Sequence, residues 1–111
     1  MTFQEISGMI EEIGLPYNYY QFEENSAPAL PYVLFYYPQR TDVVADNKNY
    51  ALKTALNVEL CTEEKDFATE GQVEAVFIAH DIPFEKTETY IESERMYMIL
   101  YEMEVFINAG N

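Results

Sequence analysis

The stretch Tyr50–His80, YALKTALNVELCTEEKDFATEGQVEAVFIAH, decides the fold. From Leu52 to Thr62 its residues alternate between one face of leucine, valine and threonine and a second, mostly polar face. A period of two is typical of a strand with one dry face. We therefore predict a long strand over 50–62, with the sheet around it built from the segments before and after.

A helix is predicted directly after this strand. Glu63, Glu64 and Lys65 break the alternation, and Asp66 can accept hydrogen bonds from the free amides of a helix start. Four residues then recur at helical spacing, namely Val73, Val76, Phe77 and His80. The pattern predicts a helix over 66–80 that lies across the strand.

The segments before this unit predict one helix and two strands. Thr2 and Glu5 form the Thr-x-x-Glu capping box of a short amphipathic helix over 3–13. Aromatic residues favour strands over 17–22 and 32–37, separated by a loop rich in proline and asparagine. Residues 39–49 are mostly polar and are predicted as a loop with a turn at Asp46-Asn47.

The segments after it predict two more strands. Both alternating faces of 84–91 are rather polar, as in a strand at a sheet edge. Residues 95–107 alternate again, and we expect a loosely held tail from Val105 onward.

The order α-β-β-β-α-β-β predicts one α+β domain over 1–111. Short connections favour antiparallel neighbours, so we expect a four- to five-stranded, mainly antiparallel sheet with two helices on one face. A chain of 111 residues, half of them apolar, is long enough for one core.

The net charge of −14 disfavours several kinds of partner. Twenty acidic residues against six basic ones repel phosphate backbones and anionic membranes. The sequence has no apolar run long enough to cross a bilayer and no visible secretory signal. We expect no association with membranes and no direct binding of DNA. We also expect no cofactor.

Positive charge is concentrated in one window, at Arg40, Lys48 and Lys53. An identical acidic molecule could dock there, because opposite charges favour a specific encounter. The alternative is a solvated loop with incidental charges, since exposed ion pairs contribute little to stability.

No motif in the sequence predicts a catalytic, cofactor-binding or metal site. His80 is the single histidine, without a placed nucleophile, and a helix-end histidine is typically a structural cap. Cys61 is the single cysteine, which leaves a zinc site without donors. We expect the chain not to be an enzyme.

Ten tyrosines stand out instead. Tyrosine has a large apolar ring and a polar tip, and it is enriched where protein surfaces meet. Packing within the subunit explains part of the set, and interface contacts are predicted for Tyr90, Tyr97 and Tyr101.

Several short motifs in the sequence are similar to those of a known family. They include PYV at 31–33, YY at 36–37, ADN at 45–47, VELCT at 58–62 and EKTETYI at 85–91. Over about residues 13–104 the chain resembles small tail proteins encoded among the structural genes of long-tailed phages and prophages of Gram-positive bacteria. It departs from that family at Cys61, where a tyrosine is expected, and at Phe67, where a proline is expected.

That family is similar in size and element order to tail terminator or tail completion proteins. The resemblance implies an α+β subunit that forms a ring, generally of six copies, between the tail tube protein and the head–tail connector protein. DNA would pass through the ring as cargo, and an acidic lumen would repel it. The implied location is the virion tail, after assembly in the host cytoplasm.

Two other functions stay open. An acidic chain of this size could mimic DNA and inhibit a host nucleic-acid-binding protein. It could also be a tail-assembly chaperone that is absent from mature particles.

Overall fold

The computed structural model describes residues 1–44 and 50–107, and the side chains in these ranges except those of 42–44, 50 and 51. The described residues form two helices and six strands. In chain order these are α1 (Phe3–Glu12), β1 (Tyr17–Tyr19), β2 (Tyr32–Tyr36), β3 (Arg40–Val44), β4 (Tyr50–Thr62), α2 (Phe67–Ala79), β5 (Glu85–Ile91) and β6 (Met96–Ile107).

Strand β4 is the centre of the sheet. Along one edge it pairs antiparallel with β6 from Leu52 to Thr62, and β5 pairs antiparallel with the far edge of β6. Along its other edge β4 pairs antiparallel with both β2 and β3, and β1 adds to β2 as a parallel neighbour. The described part of the chain therefore contains one mixed sheet in the order β1-β2-β4-β6-β5, with β3 beside β4.

Strands β2 and β3 behave as one strand with a bulge. Tyr36 lies opposite Asn57 and Arg40 lies opposite Thr54, so three residues of one strand face two of the other. The Gln39 carbonyl closes the bulge by accepting hydrogen bonds from the Ala55 amide at 2.7 Å and the Thr54 hydroxyl at 3.2 Å. The bulge lets both strands follow the full length of β4.

Both helices cover the same face of the sheet. Ile6, Ile10, Val73 and Phe77 are buried in one cluster with alternate residues of β4 and β6, among them Val58 and Tyr101. Val58 and Tyr101 are cross-strand partners, so they point to the same side. No helix or strand of residues 1–44 and 50–107 lies on the opposite side, which we call the open face.

The predicted α+β class is confirmed, and so are the caps predicted at Thr2 and Asp66, with α2 beginning at Phe67 and not at 66. The Thr2–Glu5 capping box is formed, and the Asp66 carboxylate accepts a hydrogen bond from the Thr69 amide at 3.0 Å. The helices end one residue earlier than predicted, at Glu12 and Ala79.

The predicted sheet is wrong in three respects. There are six described strands instead of four or five, because Arg40–Val44 forms β3 within a segment predicted as a loop. The β1–β2 pair is parallel, because the connection over 20–31 is long enough to return to the same end of the sheet. Strand β1 ends at Tyr19 and not at 22, because Tyr20 has a φ of 68°, outside the strand region.

The loose tail predicted from Val105 onward is wrong as far as Ile107, because β6 continues to that residue. Val105 and Ile107 pair with β4 and are 3% and 1% exposed. The predicted turn at Asp46-Asn47 lies outside the described residues.

Candidate interaction surfaces

The open face is apolar at one end. Residues of β2 and β6 flank β4 there, and Ile91 of β5 lies opposite Met96 of β6. All are half-buried although no helix covers them, and none belongs to the main core cluster. We call this set the open-face patch, and it consists of Tyr32, Leu34, Ile91, Met96, Met98 and Leu100.

One carboxylate lies within the patch. Glu59 sits between Leu34 and Leu100 in the register of β2, β4 and β6. Its carboxylate accepts a hydrogen bond from the Tyr36 hydroxyl at 3.0 Å, and that hydroxyl also accepts one from the Asn57 amide at 3.4 Å. A charge therefore lies in the middle of the patch, hydrogen-bonded to Tyr36 of the same chain.

The other end of the open face is charged and concave. A groove of about 800 Å³ there is lined by side chains that include Lys53, Asn57, Glu85, Glu102 and Glu104. Glu85 and Glu102 are direct cross-strand partners, and Lys53 is paired with Glu104 at 2.9 Å. No serine, cysteine or histidine is among the described residues that line the groove.

Helix α2 buries Val73 and Phe77 in the core and also exposes apolar residues on its outer side. Phe67 and Ile78 are 75% and 66% exposed, whereas Glu70 is only 1% exposed. A surface helix normally turns its apolar stripe inward and its charges outward. We call the exposed, uncharged side the outer face of α2, and it consists of Phe67, Ala68, Gly71, Gln72, Ala75, Ile78 and Ala79.

The inward-facing glutamates form a charged cluster with β5. Glu70 is ion-paired with Lys65 at 2.6 Å and with Lys86 at 2.7 Å. Burial alone would raise the pKa of Glu70, but the two lysines outweigh it and lower that pKa. The same contacts raise the pKa of Lys65, which also pairs with Glu88.

The cluster reaches the core through Tyr101. Glu74 accepts hydrogen bonds from the Tyr101 hydroxyl and from Lys86, both at 2.7 Å. Burial, and then the bond to Glu74, raises the pKa of Tyr101. The sequence does not predict this cluster, because Glu70 and Glu74 lie on the same stripe of α2 as Phe67 and Ile78, at spacings of three and four residues, and carboxylates on such a stripe are normally solvated.

The structure describes two of the three basic residues predicted as a docking window, and their register places Arg40 and Lys53 on opposite faces of neighbouring strands. Arg40 is exposed at the start of β3, Lys53 is paired with Glu104 on the open face, and Lys48 lies outside the described residues. Their role in docking stays a prediction.

The three predicted interface tyrosines differ in accessibility. Tyr90 is 46% exposed and its ring packs against Tyr97 at 4.8 Å between centroids, on the helix side of the sheet edge. Tyr101 is fully buried between α2 and Phe84, so it belongs to the subunit core and is no longer an interface candidate.

The two residues considered for catalysis have structural partners. His80 Nε2 lies 2.6 Å from the Glu12 carboxylate and so links the ends of the two helices. Cys61 is 1% exposed, and burial raises the pKa of its thiol to about 12. A thiol in that state is a poor nucleophile at neutral pH.

The described residues contain neither a metal-binding cluster nor a helix that could span a membrane. No group of three or more metal-binding side chains is present within 1–44 and 50–107. None of the helices in these ranges has the length and apolar character that crossing a membrane requires. In comparisons with known proteins, no family model matches the sequence, and neither does any curated protein.

Proposed function

We propose that this chain is a structural subunit of a phage or prophage tail, similar to tail terminator and tail completion proteins. It forms a ring between the tail tube and the head–tail connector and acts through its surfaces. The observation that carries this proposal is that a strongly acidic chain exposes two large apolar side chains, Phe67 and Ile78, on the uncharged outer face of α2. Exposed apolar surface of this kind marks sites of protein association.

The charge of the subunit supports the same function. A ring with a net charge of −14 per copy repels the phosphates of DNA passing through it, so DNA does not adhere to its wall. The resemblance to small tail proteins supports a location in the tail, and the fold is an elongated two-layer body of 51 × 29 × 22 Å.

The experiment is electron microscopy of particles induced from a prophage strain that lacks this gene. We expect unjoined heads and tails, or tails of uncontrolled length, and normal virions when the gene is supplied from a plasmid. Normal virions from the deletion strain would contradict the proposal.

The same strains separate the two alternatives. A DNA-mimicking inhibitor would leave particle shape unchanged and would bind a basic host protein. A tail-assembly chaperone would be required for tails but absent from purified particles, which mass spectrometry of those particles detects.

A further inference from the structure

We propose that residues 20–31, which we call the strap, open away from the sheet as a unit while the rest of the chain stays folded. When it is closed, the strap holds a cover over the apolar end of the open face. When it is open, Cys61 and the side chains around it come into contact with water. The strap therefore controls access to that end of the sheet. This property belongs to a single subunit, so it does not depend on the proposed function.

Cys61 is buried on a face of the sheet that no described helix or strand covers. It alternates with Leu60 along β4, so its side chain points to the open face, yet it is only 1% exposed. Its cross-strand partners are Tyr32 of β2 and Met98 of β6. The Tyr32 hydroxyl donates a hydrogen bond to the sulfur of Met96 on β6 at 3.8 Å, so the Tyr32 side chain reaches across β4 beside Cys61. Tyr32 therefore covers the thiol.

The strap holds this cover in place with aromatic rings. Phe22 is half-buried and packs edge-on against Tyr32, with the ring centroids 5.1 Å apart. Tyr20 packs in the same way against Tyr36, at 5.4 Å. Edge-to-face ring pairs of this kind are favourable contacts. The two pairs attach the strap to the open face.

The tip of the strap has little to hold it closed. Residues 23–27 are all exposed. The hydrogen bonds at the tip are local, because the Ser26 amide and hydroxyl donate to the Glu23 carbonyl at 3.0 and 2.7 Å. A segment with few buried apolar contacts opens at a much lower free energy than the core does. Local opening is therefore favoured over global unfolding for the strap.

The strap leaves β1 at a strained residue. Tyr20 has a φ of 68°, in the left-handed region that is unfavourable for a bulky side chain. The closed strap maintains this conformation through the ring of Tyr36 and through the hydrogen bond from the Tyr20 amide to the Phe35 carbonyl at 2.8 Å. Opening relieves the strain. Because β1 pairs with β2 only as far as Tyr19, the strap opens without breaking the sheet.

The test uses Cys61 as a reporter, since it is the single cysteine of the chain. Phe22→Ala removes the ring that packs on Tyr32. We expect an aromatic disulfide reagent to label Cys61 in this variant about tenfold faster than in the unaltered chain, while circular dichroism reports a folded chain. Phe67→Ala is the matched control, because it removes an exposed ring from α2, and it should leave the labelling rate unchanged.

The urea dependence of the labelling rate separates opening of the strap from unfolding of the whole chain. Opening the strap exposes little surface, so the logarithm of the rate should rise with urea far less steeply than global unfolding requires. A slope equal to that of global unfolding would overturn the inference. So would a labelling rate that Phe22→Ala leaves unchanged.

Hydrogen exchange of the unaltered chain tests the strap without any substitution, so it holds even where Phe22→Ala fails to fold. The hydrogen bond from the Tyr20 amide to Phe35 breaks when the strap opens. Exchange of that amide should therefore depend only weakly on urea, whereas amides at the centre of β4 should exchange through global unfolding. Exchange at Tyr20 that is as slow and as steeply dependent on urea as in β4 would contradict an independent strap.

Discussion

Glu70 is a buried carboxylate at the contact between α2 and β5. Its carboxylate is buried, and it is acceptable there because Lys65 and Lys86 approach it from two different segments. Since the lysines are only partly buried, they keep contact with water while they neutralise Glu70. The ion pairs attach α2 to β5, the edge strand.

We predict that Glu70→Gln lowers the free energy of unfolding by about 2 kcal/mol at pH 7, because it removes a doubly paired carboxylate. The lysines lower the pKa of Glu70, so its contribution is present above the ordinary value of 4.5 and is lost as pH falls through the lower folded pKa. Urea unfolding of both proteins across this range should show the difference shrinking in acid. Glu92→Gln, on an exposed turn, is the control, and an equal loss there would contradict the argument.

Cys61 should be inert in the folded protein. Burial raises the pKa of its thiol to about 12, so little thiolate forms at pH 8. We expect no labelling by a disulfide reagent under native conditions and complete labelling in urea. Labelling within minutes, while circular dichroism reports a folded chain, would show that the thiol is accessible.

Among the helices and strands, the sequence predicts best those that a pattern of side chains specifies. The alternation in 50–62 and the caps at Thr2 and Asp66 locate β4 and both helix starts, because they depend on neighbours along the chain. Strand β3 is not predictable in this way, since Arg40–Val44 is largely polar and is held by backbone pairing to β4. The parallel β1–β2 pair likewise depends on the path of a connection, which periodicity does not encode.

The interaction surfaces were only partly predictable for a similar reason. Carboxylates on a helix are normally solvated, so nothing in their identity places Glu70 and Glu74 inside. Tyr101 alternates like its neighbours in β6, and only the packing of α2 and Phe84 shows that it belongs to the core. The acidic character of the subunit, in contrast, follows from composition alone.

The pairing of β5 with β6 includes an unfavourable contact that can be relieved. Glu85 and Glu102 are directly opposite on the open face, and like charges in this position destabilise a sheet. We expect Glu85→Lys to raise the free energy of unfolding by about 0.5 kcal/mol at low salt, measured in urea. The gain should shrink in 0.5 M NaCl, and Glu92→Lys, with the same charge change on a turn, should give a smaller gain. An equal gain from both variants would assign the effect to net charge.

For the whole molecule, the proposed self-association depends on the balance between acidic repulsion and apolar contact. Contact through an uncharged apolar surface such as the outer face of α2 gains from screening, because salt weakens the repulsion between copies. Contact through the basic window at Arg40 and Lys53 would lose strength in salt, because it depends on attraction. We therefore predict tighter self-association in 0.5 M than in 0.05 M NaCl, as measured by sedimentation. Weaker association at the higher salt concentration would favour the basic window.

We propose that this chain is a ring-forming component of the virion, and cryo-electron microscopy of purified particles that carry a tagged copy of the chain tests this directly. We expect a ring of tagged subunits at the junction of head and tail. Intact, joined particles that contain no tagged chain would contradict it.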